Sequence, residues 1–311
     1  MAKRPEVTLV QLRYFVAAAE RLSMTEAAQQ FFVAQSAVSA AIAQLEQQVG
    51  LQLFIRQRSK GLVLTRAGLQ FLGDARAILL SLDSALDAAR GVDNQVRGTI
   101  RIACFVVFAP FLLPDLITRA RTLYPYLEIA VEELDAEGAR DALRAGQVEL
   151  SVGYDFALGA DIHREVIVQA APHVLLPAGH PLAERDPVFL RQLAREKFIL
   201  LDLPYSRDYF LHVLSSAGLK PEIRHRTRSY ETVRSLVAQG HGFSILNQRP
   251  AHNLTYGGDR VAALAIGDDV PALPVVIASL NGVRQTARAR AIGGIIREVA
   301  ATVFAASKTG G

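Results

Sequence analysis

The sequence predicts an α/β protein with an all-α module at its N-terminus, and three observations carry that reading. Residues 9–50 show helix-period apolar spacing and lead into a basic hairpin. From Thr99 onward, strand and helix signals alternate, which implies parallel sheets covered by helices. Between these parts, Thr65 to Arg90 has no proline and reads as one long helix of about 26 residues, ~39 Å at 1.5 Å per residue.

Leu9, Leu12, Phe15, Val16 and Ala19 share one face of the first helix. Ser23 and Glu26 form a Ser-x-x-Glu box that starts the second, whose apolar face is Ala27, Ala28, Phe31 and Phe32. The third points Val38, Ile42, Leu45 and Val49 inward and ends at Gly50. Its other face shows Gln35, Ser36, Ala37, Ser39, Ala40 and Ala43. Small and hydrogen-bonding side chains let a helix approach base edges: Gln pairs with adenine and Ala touches a thymine methyl. The hairpin Leu53–Thr65 adds Arg56, Arg58 and Lys60. Two tightly joined helices followed by a basic wing form a layout that puts a helix into DNA. The candidate contacts are Thr25, Gln35, Ser36, Ala37, Ser39, Arg56, Arg58 and Lys60. The plain alternative is a three-helix bundle with a solvated face.

Charge supports the first reading only locally. The net charge is +4; residues 1–90 carry ten basic and seven acidic side chains, and from Gln47 to Gly73 every charge is positive. On the long helix, Leu72, Ala75, Leu79, Leu82, Leu86 and Ala89 repeat at 3-4-3-4-3, an a/d seam that calls for a helical partner. Leu72, Leu79, Leu82 and Leu86 are its expected dimer contacts. The alternative is a helix packed on its own domain.

At 311 residues the chain has room for two or three domains. The expected division is 1–64, a DNA-binding module; 65–90, a linker and dimerisation helix; 98–167 with 269–304, a first α/β lobe; and 168–268, a second. No run of ~18 apolar residues indicates a membrane span. The start, Met-Ala-Lys-Arg-Pro-Glu, leads into an amphipathic helix and not a secretory segment. Cys104 is the single cysteine, so a reduced cytoplasm is expected. No Cys/His cluster has zinc spacing, and there is no nucleophile elbow, P-loop or dinucleotide fingerprint. Neither metal nor cofactor nor catalysis is therefore expected. Glu132 and Glu133 alternate sides of a strand and do not form an acid/base pair.

In open α/β sheets, ligands sit beyond strand carboxyl ends, where helix N-termini hold anions. Three places qualify: Cys104–Phe108, Asp202–Arg207 and Ser229–Glu231. Phe105 and Val107 would give apolar walls. Arg207 would hold a carboxylate, with Asp202, Ser206 and Tyr230 nearby; alternatively Arg207 pairs with Asp202 or Asp208. Ser229 reads as a simple N-cap, His180 as a turn residue and Cys104 as a packed thiol.

Taken together, the chain resembles the LysR-type transcriptional regulators along nearly its whole length. The carriers are Leu12-x-x-Phe15, Ser23–Ala28, Gln35-Ser36-Ala37-Val38-Ser39, Ile42-x-x-Leu45-Glu46, Leu53-Phe54-x-Arg56 and Leu64-Thr65-x-Ala67-Gly68. Looser marks follow at Leu112-Leu113-Pro114, Tyr124-Pro125, Leu143-x-x-Gly146, His180-Pro181-Leu182 and Val237-x-x-Gly240-x-Gly242. The resemblance implies a winged helix-turn-helix, a linker helix and a two-lobed, periplasmic-binding-protein-like effector domain. It implies a homotetramer that binds promoter or operator duplex DNA and answers to a small molecule, with RNA polymerase as a further candidate partner. Two departures stand out: Ala34 and Ala40 occupy positions where relatives often have Ser and Arg. Relatives also carry hydroxyls after the first strand of the effector domain, where this chain has Cys104-Phe105-Val106-Val107-Phe108. That apolar loop argues for an aromatic or aliphatic portion on the effector, or for a pocket that does not use this loop in the usual way; with Arg207 as the anion holder, the expected effector is a carboxylate with an apolar part. A solute-binding protein would fit the second half of the chain alone, and an α/β enzyme carrying a DNA-binding domain would need a catalytic constellation that the sequence does not show.

Overall fold

The computed structural model describes residues 6–57, 61–90, 96–156 and 158–309. Helix α1 (Leu9–Arg21) begins at a reciprocal cap: Thr8 Oγ1 accepts from Gln11 N–H, and Gln11 Oε1 accepts from Thr8 N–H. Helix α2 (Met24–Gln30) starts at Ser23, whose Oγ accepts from Glu26 N–H, while the Glu26 carboxylate lies 3.7 Å from Arg21. Helix α3 (Gln35–Val49) closes at Gly50, φ 73°. Strands β1 (Phe54–Gln57) and β2 (Gly61–Leu64) form the antiparallel wing.

Phe15 is fully buried and its ring meets Phe54 at 5.4 Å and Phe71 at 5.3 Å, so one aromatic joins α1, the wing and the long helix α4 (Arg66–Arg90). Two expectations on the apolar faces need correction. Leu9 is exposed, whereas Ala17 and Ala18 are buried; and Phe32 stands 97% exposed at φ 55°, outside α2. On α4, Leu72 and Ala75 are buried in the core of this same module and Leu79 is half-buried against it. Leu72 is thus a core residue of its own chain and not an accessible seam position. Leu82 is half-buried and Leu86 is 40% exposed.

The remainder follows in chain order: β3 (Gly98–Phe105), α5 (Ala109–Leu123), β4 (Leu127–Leu134), α6 (Ala136–Arg144), β5 (Leu150–Tyr154), β6 (Ile162–Ala170), β7 (His173–Pro177), β8 (Phe198–Leu201), α7 (Ser206–Ser216), β9 (Ile223–Thr227), α8 (Tyr230–Ala238), β10 (Ser244–Leu246), β11 (Val261–Ala265), β12 (Leu273–Leu280) and α9 (Ala287–Thr309). One sheet has the order β4-β3-β5-β12-β6. Strands β3, β4 and β5 are parallel, but β12 runs antiparallel to β5 and β6, so the expected all-parallel sheet is corrected to a mixed one. The physical reason is topological: β6 carries the chain out of this lobe and β12 brings it back. In the second lobe β8 and β9 are parallel, while β7 pairs antiparallel with β10 and β11. A parallel bridge from Phe198 to Phe243 joins the two pieces. An apolar cluster runs through both lobes, from Ile102 and Phe108 to Phe198 and Ile245.

Strand β6 extends to Ala170 and so crosses the limit expected for the lobes at 167/168, whereas β12 begins at Leu273, inside the expected first-lobe segment 269–304. Asn247 donates to the Ala170 carbonyl at 3.0 Å, and Tyr209 donates to the Pro271 carbonyl at 2.8 Å. The end of β6 and the segment just before β12 are thereby tied to the second lobe, and Asn247 also donates to the Tyr209 hydroxyl at 3.0 Å.

Candidate nucleic-acid interface and interlobe cleft

On α3, Val38, Ile42 and Leu45 turn into the core, which forces Gln35, Ser36 and Ala37 outward; all three are exposed and Ser39 is half-buried. Ala34 is the N-cap residue and supplies no side-chain bond; Ala37 N–H donates to the Ala34 carbonyl at 3.0 Å, and the amides of Gln35 and Ser36 are left for a phosphate. Thr25 is exposed at the start of α2. The wing is set against α3 by Glu46, whose Oε1 accepts from Leu53 N–H at 2.7 Å and Phe54 N–H at 2.9 Å. Thr65 donates to the Gln52 carbonyl at 2.7 Å and accepts from Gly68 N–H at 2.9 Å. Gly68 is required there by space: a Cβ would lie 2.1 Å from the Leu53 carbonyl oxygen. Arg56 lies on β1; its side chain, and all of Arg58 and Lys60, fall outside the described residues. Phe32, expected on the apolar face of the second helix, is instead an exposed aromatic in the turn just before α3.

Beside the ties made by Asn247 and Tyr209, two aromatic pairs and two side-chain bridges link the lobes across the cleft among the described residues. Phe111 meets Tyr230 edge-on at 5.9 Å, and Phe156 stacks on Tyr205 at 6.3 Å. Arg140 donates to the Tyr205 hydroxyl at 2.8 Å, and Arg228 to the Asp135 carboxylate at 2.8 Å. Tyr205 holds φ 63° just before α7 and Tyr230 opens α8, so both rings stand at helix starts. The Tyr230 hydroxyl donates to the Gln248 carbonyl at 2.6 Å, and burial pushes its pKa up. The Gln248 side-chain amide is 1% exposed and neither its nitrogen nor its oxygen has a partner among the described residues.

The expected pocket residues fall into two sets. Asp202, Ser206, Arg207 and Tyr230 lie together at the carboxyl ends of β8 and β9 or at the helix starts beyond them. Arg207 approaches Asp202 at 3.5 Å and Asp208 at 3.4 Å, and Arg226 approaches Asp202 at 3.7 Å. Ser206 is buried. Phe105 and Val107 belong to the other set. Phe105 is 2% exposed, with its ring against Phe108, Tyr154 and Phe156 at 5.6, 5.4 and 6.5 Å; Val107 is 6% exposed. Their expected role as open cleft walls is corrected: the end of β3 turns these side chains into the first lobe's core. Phe111 and Phe156 face the other lobe instead.

Cys104 is buried, and burial, with the Glu133 charge second, pushes its thiol up to about 12. Ser229 caps α8 through Thr232 N–H, and His180 Nδ1 accepts from Leu182 N–H as a turn residue. No group of three metal-ligating side chains occurs among the described residues.

Residues 9–69 match the family described as bacterial regulatory helix-turn-helix protein, lysR family, and residues 93–301 match the LysR substrate binding domain. The chain belongs to the LysR family of transcriptional regulators. It is 33% identical over 245 residues to an uncharacterized HTH-type transcriptional regulator, YnfL, of Escherichia coli, covering 77% of this chain and 82% of the relative. The structure of HinK, a LysR family transcriptional regulator from Pseudomonas aeruginosa, is 35% identical and covers 94% of this chain and 98% of its own, with a TM-score of 0.63. A full-length OxyR from the same organism is 25% identical with a TM-score of 0.76, covering 94% of this chain and 97% of its own. The protein is a DNA-binding regulator and not an enzyme.

Proposed function

We propose that the protein reads duplex DNA with Gln35, Ser36, Ala37 and Ser39 of α3, supported by Thr25 and by Arg56, Arg58 and Lys60 of the wing, and that an anionic effector with an apolar part binds between the lobes. The observation that carries the DNA assignment is the exposed, small-side-chain face of α3 beside an uncapped helix start. The effector assignment is supported by the facing pairs Phe111–Tyr230 and Phe156–Tyr205, flanked by Arg140, Arg207 and Arg228. Asp202 orients Arg207, and Ser206 and Tyr230 line the same edge. The working division is a DNA-reading head at 1–64, a linker helix at 65–90, and lobes at 98–167 with 269–304 and at 168–268. Leu79, Leu82 and Leu86 pair chains through α4, four chains assemble on a promoter in the cytoplasm, and RNA polymerase is the downstream partner. No helix among the described residues is long and apolar enough to cross a membrane.

Gel shifts with genomic fragments test the first part, and sequence-selective retardation is expected. A thermal-shift screen of small carboxylates and aromatic acids tests the second, because a ligand of the native state raises the melting temperature. Arg207→Ala is expected to abolish the shift while leaving unliganded DNA binding unchanged. Loss of DNA binding with ligand affinity intact would assign Arg207 to the fold or to an interface.

A further inference from the structure

Arg76 of α4 touches both the DNA-reading head and the first lobe of its own chain. Arg76 is 8% exposed. One terminal nitrogen donates to the Ala145 carbonyl at the end of α6, at 2.9 Å, and the other donates to the Glu20 carboxylate at the end of α1, at 3.0 Å. Glu20 is also 3.6 Å from Arg101 on β3. Thus the guanidinium spans two modules with two different nitrogens, which a point-charge ammonium cannot reproduce in the same geometry.

The packing around this contact is unusually close, and two glycines permit it. Gly73 lies inside α4, where glycine is unfavourable relative to alanine. A Cβ there would sit 3.0 Å from the Arg144 carbonyl oxygen. A Cβ on Gly146 would sit 2.8 Å from the Arg76 Cβ. Farther along α4, Ser84 donates to the Gln285 carbonyl at 3.1 Å, and Asp83 pairs with Arg288 at 3.1 Å, which in turn donates to Glu149 at 2.8 Å. A cavity of about 230 Å³ opens where the three parts meet, lined by Val16, Glu20, Arg76, Arg101, Glu149 and Arg288 among others. Arg101 is half exposed there, so its pairing with Glu20 is solvent-screened, whereas the Arg76 contact to the lobe is buried.

We propose that Arg76 is a positioning residue that fixes the DNA-reading head against the first lobe of its own chain, and so sets the spacing at which two heads engage DNA. The reading rests on α3 as the DNA-contacting helix. Movement of the lobe would reach the head through this joint, because the same guanidinium holds both.

The test uses full-length protein with spin labels at Gln29→Cys and Arg121→Cys, both at exposed positions, diluted into unlabelled protein so that only intrachain distances contribute. Cys104 is buried and stays unlabelled. One narrow distance is expected, broadened in Arg76→Ala and in Glu20→Gln, with the double variant no broader than Arg76→Ala alone. Gly73→Ala gives a contrary pair of effects: a more favourable helix residue and a broader distance. Binding to duplexes whose two half-sites differ in separation by about 5 base pairs reads the consequence. Discrimination of roughly tenfold should fall to within about threefold in Arg76→Ala, with single half-site affinity unchanged. An unchanged narrow distance in Arg76→Ala and Glu20→Gln would overturn the proposal. So would the absence of a narrow distance in the diluted wild type. Absence of half-site binding by the wild type would instead count against α3 as the reader. If Arg76→Ala fails to fold, Glu20→Gln and Gly73→Ala decide the matter.

Discussion

Asp135 joins Arg228 across the interlobe cleft while its other carboxylate oxygen caps α6: Oδ2 accepts from Arg228 at 2.8 Å and Oδ1 accepts from Gly138 N–H at 2.9 Å. These two roles separate by mutation. Asp135→Asn retains a good cap and loses only a solvent-screened ion pair, so thermal stability should change little. Asp135→Ala removes the cap and should cost ~1 kcal/mol. Both should loosen lobe closure to the same extent, measured as increased amide exchange around Tyr205 and Tyr230. Equal destabilisation by the two variants would show that the ion pair, and not the cap, carries the stability.

The outward face of α3 and the wing should differ in what they recognise. Ser39→Ala is expected to narrow the gap between specific and random DNA. Lys60→Ala should weaken both alike and reduce the salt slope by ~0.9, one phosphate contact. Identical effects of the two variants on specific and random duplexes would refute the assignment.

Phe32 should trade stability against binding. It holds φ 55° with its ring 97% exposed. Glycine at that position relieves a left-handed backbone costing roughly 1 kcal/mol and loses little packing. Phe32→Gly is therefore expected to raise the melting temperature and lower DNA affinity. Unchanged affinity would remove Phe32 from the interface.

Positions along α4 should respond differently. Leu72 is buried within the reading head, so Leu72→Ala should cost about 2–5 kcal/mol of stability. Leu86 is 40% exposed, so Leu86→Asp should spare the fold yet shift sedimentation toward monomer. Unaltered self-association would place the chain–chain contact elsewhere.

His173 predicts a specific acid sensitivity. It is buried, and burial first, then the charges of Arg249 and Arg234, lowers its pKa from 6.5 to about 3. The folded state therefore binds fewer protons than the unfolded one between those values. Stability is retained above pH 6.5 and lost as pH falls toward 3, by about 1.4 kcal/mol per pH unit. In His173→Gln, chemical denaturation between pH 6 and 4.5 should show a slope smaller by one proton. An identical slope would mean that His173 protonates without penalty.

Much of this was legible in the sequence because local rules coincided with tertiary packing. Phe198–Leu201 begins and ends where its apolar run does. Strand β6 escaped notice because His163, Arg164 and Glu165 sit on a sheet edge with charges facing solvent. Strand β11 escaped because Ala262, Ala263 and Ala265 carry no strand preference. Phe105 was legible as apolar but not in direction; whether a residue at a strand end faces a cleft or the core depends on the neighbouring helix. Arg76 gave no signal at all, since its two partners are 56 and 69 residues away.

The carbonyl of Leu53 has consequences for the genetics of this protein. With 2.1 Å between it and any side chain placed at residue 68, every missense codon there displaces the wing from the helix that follows it. Such alleles should be expressed, since the lobes fold around their own cluster, yet fail at the promoter. In a merodiploid, mixed assemblies of such chains with the wild type would carry defective heads, making codon 68 a natural source of dominant-negative regulators.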